Sequence, residues 1–385
     1  MARRFYEEFD GYAAVAEERE VARRRGVPFT VEYDVADRYI GLLHPPRLRL
    51  RVADIIEETP STKTLRLVSE SGYLPPFQAG QYVSLFLEMG AVRTSRAYSI
   101  SSPPSRVGYY DVTVKRVEHG LVSGYLLDEV QRGDVLESSG PAGHFSYNPL
   151  FHDPTSVFLA GGSGVTPFMS MIREIVDRGL PRAVHLFQGS RTLDEVIFHD
   201  ELDYLSRRFD NIRYVPVIEN PPGGYEGKTG LITGELLAEK CGGLVDKTFY
   251  VCGPQAMYAF CEGELGKLGV PRRKVRREAH GPPEKVWHDP GWPASVAPDA
   301  VFTVRVNGSR EFQAPASQPL LVTLEQSGLL VPSLCRAGEC SMCRVKVLSG
   351  KVYQAPGALV RRSDREYGYV HSCVAYPLEP LELVL

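Results

Sequence analysis

Apolar and polar positions change their spacing several times along this chain, and each change predicts a different kind of element. Near the start, Phe5, Phe9, Tyr12, Val15 and Ala16 recur at helical intervals in a run rich in Ala, Glu and Arg, which predicts an amphipathic helix over 5–25. A His44-Pro45-Pro46 break closes this N-terminal helical extension, 1–46. Over 47–150 the spacing drops to two, with strands at Arg49–Ile55, Thr64–Val68, Tyr82–Leu87 and Tyr110–Val117 set apart by Gly and Pro. That pattern predicts an antiparallel barrel of about six strands, interrupted by one helix from Leu121. Over 151–280, short apolar runs (Val157–Ala160, Ala183–Gln188, Ile212–Ile218, Lys247–Cys252) alternate with helical stretches. This predicts a doubly wound parallel α/β sheet. Residues 281–299, with Pro290 and Pro293 around Trp292, read as an ordered linker, and 300–385 opens on the strand Val301–Val306 and an Asn307-Gly308 hairpin turn.

Composition narrows the class of protein. The 385 residues are 43% hydrophobic and 24% charged, so each segment can bury a core of its own. A net charge of −3 argues against a nucleic-acid-binding surface, and no apolar run reaches the length of a membrane span. The start, Met1-Ala-Arg-Arg-Phe-Tyr, lacks the apolar core of a signal peptide.

The cysteines carry the first chemistry. Cys335-Arg-Ala-Gly-Glu-Cys340-Ser-Met-Cys343, with Cys373 thirty positions later, is C-x4-C-x2-C…C, the spacing that holds a plant-type [2Fe–2S] cluster. Three thiolates come from one tight loop, to which Gly338 gives backbone freedom, and the fourth from a returning segment. Zinc sites more often show two C-x2-C knuckles, and a pair of disulfides is the other rival. Cys241, Cys252 and Cys261 remain, an odd remainder that with the cluster favours a reducing, cytoplasmic setting.

Further motifs lie upstream. Arg96-Ala97-Tyr98-Ser99 offers a fork for phosphate, a ring for a flat heterocycle and a hydroxyl for a ring nitrogen, although a lone strand tyrosine is more often core. Gly120-Leu121-Val122-Ser123 opens the barrel's helix, where free N–H groups suit an anion; an ordinary N-cap is the alternative. Gly161-Gly162-Ser163-Gly164-Val165-Thr166-Pro167 follows a buried strand and opens a helix without the G-x-G-x-x-G spacing. Cys252-Gly253-Pro254 ends a later strand, where Cys252 could equally be a small apolar residue.

In this order, over 48–385, these motifs resemble the ferredoxin–NADP reductase superfamily in its oxygenase-reductase form with a C-terminal ferredoxin. The resemblance implies a flavin-binding β-barrel at 47–150, an NAD(P)-binding domain at 151–280 and an α+β β-grasp [2Fe–2S] ferredoxin domain at 300–385. It assigns Arg96 to the flavin pyrophosphate, Tyr98 to the isoalloxazine face and Ser99 to the neighbourhood of N5, with Ala97 among the flavin-binding residues. Gly120 to Ser123 fall to the flavin diphosphate, and Gly140 to Phe145 to the far wall of the flavin site. Gly161, Gly162, Gly164, Thr166 and Pro167 fall to the coenzyme pyrophosphate; Cys252, Gly253 and Pro254 sit beside the nicotinamide. Glu278 matches the family's carboxylate, while His280 stands where an aromatic residue is common. The helix start favours FAD, and FMN is the alternative because a branch similar to phthalate dioxygenase reductase uses it.

Ser190 and Arg191 end the second strand of the α/β segment, where an adenosine ribose would lie. Arg191 suits a 2′-phosphate, but Asp194, Glu195, Asp200 and Glu201 repel one, so NADH is expected over NADPH. The expected function is transfer of electrons from NAD(P)H through flavin to the cluster and on to an acceptor protein, such as an oxygenase or demethylase component. That acceptor would dock at the cluster loop near Arg336, Glu339 and Met342. A non-catalytic electron-transfer or redox-sensing subunit, and a reductase of small molecules, are the competing readings.

Overall fold

The computed structural model describes residues 11–27, 38–41, 45–90, 92–278, 281–283, 285–289 and 291–385. The chain divides into two compact units, Met1–Pro46 and Arg47–Leu385. In the first, α1 spans Tyr12–Arg24 and ends on Arg23 and Arg24, cations that suit the negative end of a helix. Tyr12, Val15 and Ala16 fall in α1, while Phe5 and Phe9 lie outside the described residues.

The second unit holds three sheets. The first comprises β1 (Leu48–Thr59), β2 (Thr62–Ser69), β3 (Tyr82–Met89), β4 (Val92–Ser99), β5 (Tyr110–Lys115) and β6 (Val135–Ser138), with α2 at Leu121–Asp128. Its strand order is β4-β3-β6-β1-β2-β5, and a bridge between Ile100 and Val112 brings the two edges together. In β1, Leu48, Leu50 and Val52 point inward while Arg49 and Arg51 point out, the alternation of a half-buried strand. Those side chains meet Leu65, Leu67, Val83, Leu85 and, from α2, Leu126 and Leu127.

The second sheet is parallel throughout, in the order β10-β9-β8-β7-β11-β12. Its strands are β7 (Thr155–Gly161), β8 (Ala183–Ser190), β9 (Ile212–Ile218), β10 (Lys228–Thr229), β11 (Lys247–Cys252) and β12 (Val275–Glu278). Helices α3 (Thr166–Arg178), α4 (His199–Arg208), α5 (Gly234–Cys241) and α6 (Gln255–Lys267) accompany them. The order reverses between β7 and β11, which makes their carboxyl ends the topological switch point where such sheets bind ligands. This sheet is fastened to the barrel at several points. Ser170 Oγ donates to Ser102 O at 2.7 Å, Arg173 Nη1 to Ser101 O at 2.9 Å, and Arg106 grips Asp177 with two bonds of 2.9 Å. Phe145 corrects an expectation: it is buried against Phe158, Phe168 and Tyr250 in the core of this sheet and does not wall a flavin site.

The third sheet orders β14-β13-β19-β15-β17, with β16 and β18 as a separate pair. The strands are β13 (Val301–Val306), β14 (Arg310–Pro315), β15 (Arg344–Ser349), β16 (Val352–Gln354), β17 (Tyr369–His371), β18 (Ala375–Pro377) and β19 (Leu381–Val384). Two short helices, α7 (Leu320–Gln326) and α8 (Arg362–Glu366), pack among them. Asn307 and Gly308 both take left-handed backbone (φ 50° and 70°), as a type I′ turn requires. The linker is part of this core. Val286 is fully buried in it, and Trp292 lies edge-on to Tyr353 and Tyr376 while its Nε1 donates to Val296 O at 3.0 Å. Among the described residues no helix is long and apolar enough to cross a membrane.

Candidate functional site

β3 and β4 pair so that Tyr82 faces Ser99, Val83 faces Tyr98 and Leu85 faces Arg96. The Arg-x-Tyr-Ser run therefore borders a cleft of about 360 Å³ that all three sheets reach. Arg96, Ala97, Tyr98 and Ser99 line it from the barrel, with Gly120 to Ser123 from the start of α2. Ser163, Thr166 and Glu278 line it from the parallel sheet, and Cys335, Arg336 and Glu339 from the cysteine loop.

The side chains here fit a flavin. Ser99 Oγ is buried and has no partner within the protein, so a hydroxyl is desolvated toward the cleft with a hydrogen bond still to make. Burial, with the nearby Arg336 guanidinium second, pushes Arg96 down to about 10, an environment that an anion would relieve. Burial raises the Tyr98 phenol, which stays neutral. At α2 no side chain caps the first N–H groups. Ser123 Oγ instead accepts from Val117 N–H at 3.0 Å and donates to Gly120 O at 3.3 Å, which folds the turn on itself. Gly143 lets its turn lie against the Tyr82 ring, 2.9 Å from where a Cβ would stand. Tyr82 thus lines the cleft, and no residue of the 140–145 segment, expected as its far wall, does so.

At the switch point, the glycines serve packing as much as ligand approach. A Cβ on Gly164 would sit 2.0 Å from Cys252 O, one on Gly161 2.7 Å from Met257 Sδ, and one on Gly253 2.6 Å from the same sulfur. The ends of β7 and β11 can touch only because all three lack side chains. Gly162 adopts φ 53°, Thr166 Oγ1 donates to Ser163 O at 2.7 Å, and Pro167 occupies the first turn of α3. Cys252 pairs in register with Glu278 across β11 and β12. Cys252 is fully buried, and burial first, then the Glu278 charge, raises its thiol far above the usual range. Burial, then Glu339, likewise raises the Glu278 carboxyl. Ala279 and His280 lie outside the described residues.

Ser190 and Arg191 do not line the cleft; Ser190 Oγ donates to Thr192 O at 3.0 Å, and Arg191 is exposed. The charge argument against a 2′-phosphate loses two of its four carboxylates. Glu195 is held by Lys115 at 2.9 Å and Ser61 at 2.5 Å, and Glu201 by Arg173 at 2.8 Å. Asp194 and Asp200 carry what remains of it.

The cysteine loop bends through left-handed backbone at Arg336, Gly338 and Ser341. Gly338 is required there, since a Cβ would meet Val374 Cγ2 at 2.8 Å. The bends aim the N–H groups of Ala337, Glu339 and Cys340 at Cys335 Sγ, each at 3.4 Å. Cys335 is hydrogen-bonded to the thiols of Cys340 and Cys373, and with those N–H groups they pull its thiol far below the ordinary range. Cys343 in turn contacts Cys373. All seven cysteines are unbridged. Among the described residues no three His, Cys, Asp or Glu side chains are grouped to hold a metal ion. Linked buried thiols with N–H donors on a sulfur suit the donor set of an iron–sulfur cluster.

Arg336 departs from its expected place on a docking edge: its side chain is 6% exposed and bound to Glu325. Sequence reasoning missed Glu325, Thr94 and Tyr82.

Three family matches cover most of the second unit. The Oxidoreductase FAD-binding domain matches residues 49–147, the Oxidoreductase NAD-binding domain 158–263 and the 2Fe-2S iron-sulfur cluster binding domain 304–378. The NADH oxidoreductase HCR of Escherichia coli is 32% identical over 338 residues, 87% of this chain and 97% of that protein. The glycine betaine monooxygenase reductase subunit of Pseudomonas aeruginosa is 28% identical, over 85% of this chain and 92% of its own. The solved structure of phthalate dioxygenase reductase, 26% identical, superposes with a TM-score of 0.63 over 88% of this chain and 97% of that one. The chain belongs to the ferredoxin–NADP reductase superfamily, in the form that joins FAD-binding, NAD-binding and C-terminal 2Fe-2S domains in one polypeptide.

Proposed function

We propose that this protein is the reductase component of an oxygenase or demethylase system, taking electrons from NADH and delivering them to an acceptor protein. The observation that carries this is the single cleft bordered by the Arg-x-Tyr-Ser run, the Gly-rich turn and the cysteine loop. Cofactors bound there would convert a two-electron hydride donor into a source of single electrons. The protein's residues bind, orient and exclude water. Arg96 and the N–H groups opening α2 would hold the flavin's phosphates, Tyr98 would pack on its ring, and Ser99 would hydrogen-bond its reactive nitrogen. Cys335, Cys340, Cys343 and Cys373 would hold the cluster. Gly162, Thr166 and the N-terminus of α3 would receive the coenzyme diphosphate, with Cys252, Gly253 and Glu278 beside the nicotinamide. Burial raises the Glu278 carboxyl above the usual carboxylate range.

Two relatives named as reductase subunits, of glycine betaine monooxygenase and of stachydrine N-demethylase, support an oxygenase-type acceptor. The docking surface would centre on Met342, 48% exposed, and Leu359, 62% exposed. Leu359 N–H donates to Gly338 O at 3.0 Å, which sets this stretch against the cluster loop. Exposed Arg361, Arg362 and Arg365 follow it, and Arg362 alone is matched by Glu366. An acidic acceptor fits such a rim. NADH is the proposed donor because Asp194 and Asp200 remain near the end of β8.

Anaerobic stopped-flow mixing of the holoprotein with NADH, and separately with NADPH, tests the path. Flavin bleaching followed by cluster bleaching, faster with NADH, is the expected result. Cluster reduction by dithionite with no flavin bleaching by either coenzyme would overturn it.

A further inference from the structure

Arg336 directly follows a cluster cysteine, yet it turns inward. Its Nη1 and Nη2 each lie 2.7 Å from an oxygen of Glu325, on α7, and both side chains are almost wholly buried. The same Nη1 reaches Thr94 Oγ1 at 3.2 Å, on β4 of the barrel. Thr94 Oγ1 donates to Glu325 Oε2 at 3.0 Å and also accepts from Arg96 Nη1 at 2.8 Å. One donated and two accepted bonds use the full capacity of a hydroxyl. A single threonine therefore joins Arg96 of the flavin strand to the ion pair of the cluster loop. Glu325 also faces both guanidiniums, its charge offsetting in part the repulsion Arg96 feels from Arg336.

Two neighbouring bonds fix the same register. Ser95 Oγ meets Ser333 Oγ at 3.0 Å, and Ser84 Oγ donates to Leu334 O at 2.8 Å. An apolar contact could slide by an ångström at little cost. A bidentate buried pair cannot, because any displacement leaves a desolvated charge unmatched, and such pairs are better at fixing one arrangement than at adding stability.

We propose that Arg336, acting through Glu325 and Thr94, is a positioning residue that locks the cluster loop onto the flavin strand. Electrons then cross within this fixed arrangement, and the acceptor comes to the cluster rather than the 2Fe-2S domain swinging out to the acceptor. The proposal rests on the electron path of the preceding section.

The test uses holoprotein carrying Arg336→Met, Arg336→Lys, Glu325→Gln or Thr94→Val. In anaerobic stopped flow of Glu325→Gln and Thr94→Val, flavin bleaching by NADH should stay within about twofold of the parent, while in all four variants cluster bleaching slows roughly 10- to 100-fold, the penalty of a small misplacement. The cluster's EPR signal should be unchanged, and Arg336→Lys, which keeps charge but loses the fork, should fall between parent and Arg336→Met. Because Arg336 adjoins a cluster ligand, Glu325→Gln and Thr94→Val decide the matter if Arg336→Met loses iron. Unchanged cluster bleaching in both would overturn the proposal, and so would loss of cluster or flavin from both, since the role would then be structural alone. Failure of the parent's flavin to bleach with NADH would instead count against the proposed electron path.

Discussion

Ser99 and His185 show two fates of a buried polar side chain. The Ser99 hydroxyl is desolvated, unpartnered and turned to the cleft, so Ser99→Ala should leave the melting temperature intact. Flavin reduction by NADH should nevertheless fall by on the order of 100-fold, the usual loss when one preorganised donor is removed, as single-turnover bleaching would show. His185, 7% exposed on β8 with an unpartnered Nδ1, serves no cleft. Burial first, then Arg213 and Lys247, pushes it down to about 4 from 6.5. A depressed histidine contributes stability that is present above its unfolded value and is lost as pH falls toward the folded one. Stability should therefore drop between pH 6.5 and about 4, by no more than about 3 kcal/mol, and His185→Gln should flatten that limb of a melting-temperature profile. The contiguous Arg96–Ser99 run could be read because its chemistry sits in four adjacent residues. Arg336 was misplaced on the surface, as arginines generally are, because its burial depends on the barrel closing over its pair with Glu325, and Thr94 lies 242 positions away.

Among the elements, those with regular alternation were legible and those completed by another sheet were not. β1 showed its inward leucines directly, whereas β4, reading Val-Arg-Thr-Ser-Arg-Ala-Tyr-Ser, has no apolar face. Ser95 is interior because the 2Fe-2S domain covers it: it is 2% exposed and bound to Ser333. β12 was missed because it has only four residues, three of them charged. The Gly-rich turn was found, but its packing role depends on β11, ninety residues further on. Gly164→Ala would drive a Cβ into the Cys252 carbonyl and should cost about 3 kcal/mol or more, visible as earlier urea unfolding. Gly162→Ala, whose Cβ would meet only Lys115 Nζ at 4.0 Å and whose strain is its positive φ, should cost about 1 kcal/mol.

At the scale of the whole molecule, the order of the segments was readable from changes in hydrophobic period, and the way they close on one another was not. Glu195 looked like a charge placed against a phosphate. In the fold it leaves its own sheet to bind Lys115 and Ser61 of the barrel. Such contacts join residues of no sequence proximity, so no local pattern announces them. The distribution of cysteines has a practical consequence at this scale. Cys241, Cys252 and Cys261 are sealed in the parallel sheet, at most 4% exposed, and burial pushes Cys241 and Cys261 up to about 11 and about 12. The other four are the proposed cluster ligands. An alkylating reagent should find no fast-reacting sulfur in the holoprotein, four once iron is stripped, and the last three only when the nicotinamide sheet melts. Counting modified cysteines by mass would thus time the loss of the 2Fe-2S domain and of the nicotinamide sheet separately, with the chain serving as its own two-stage clock.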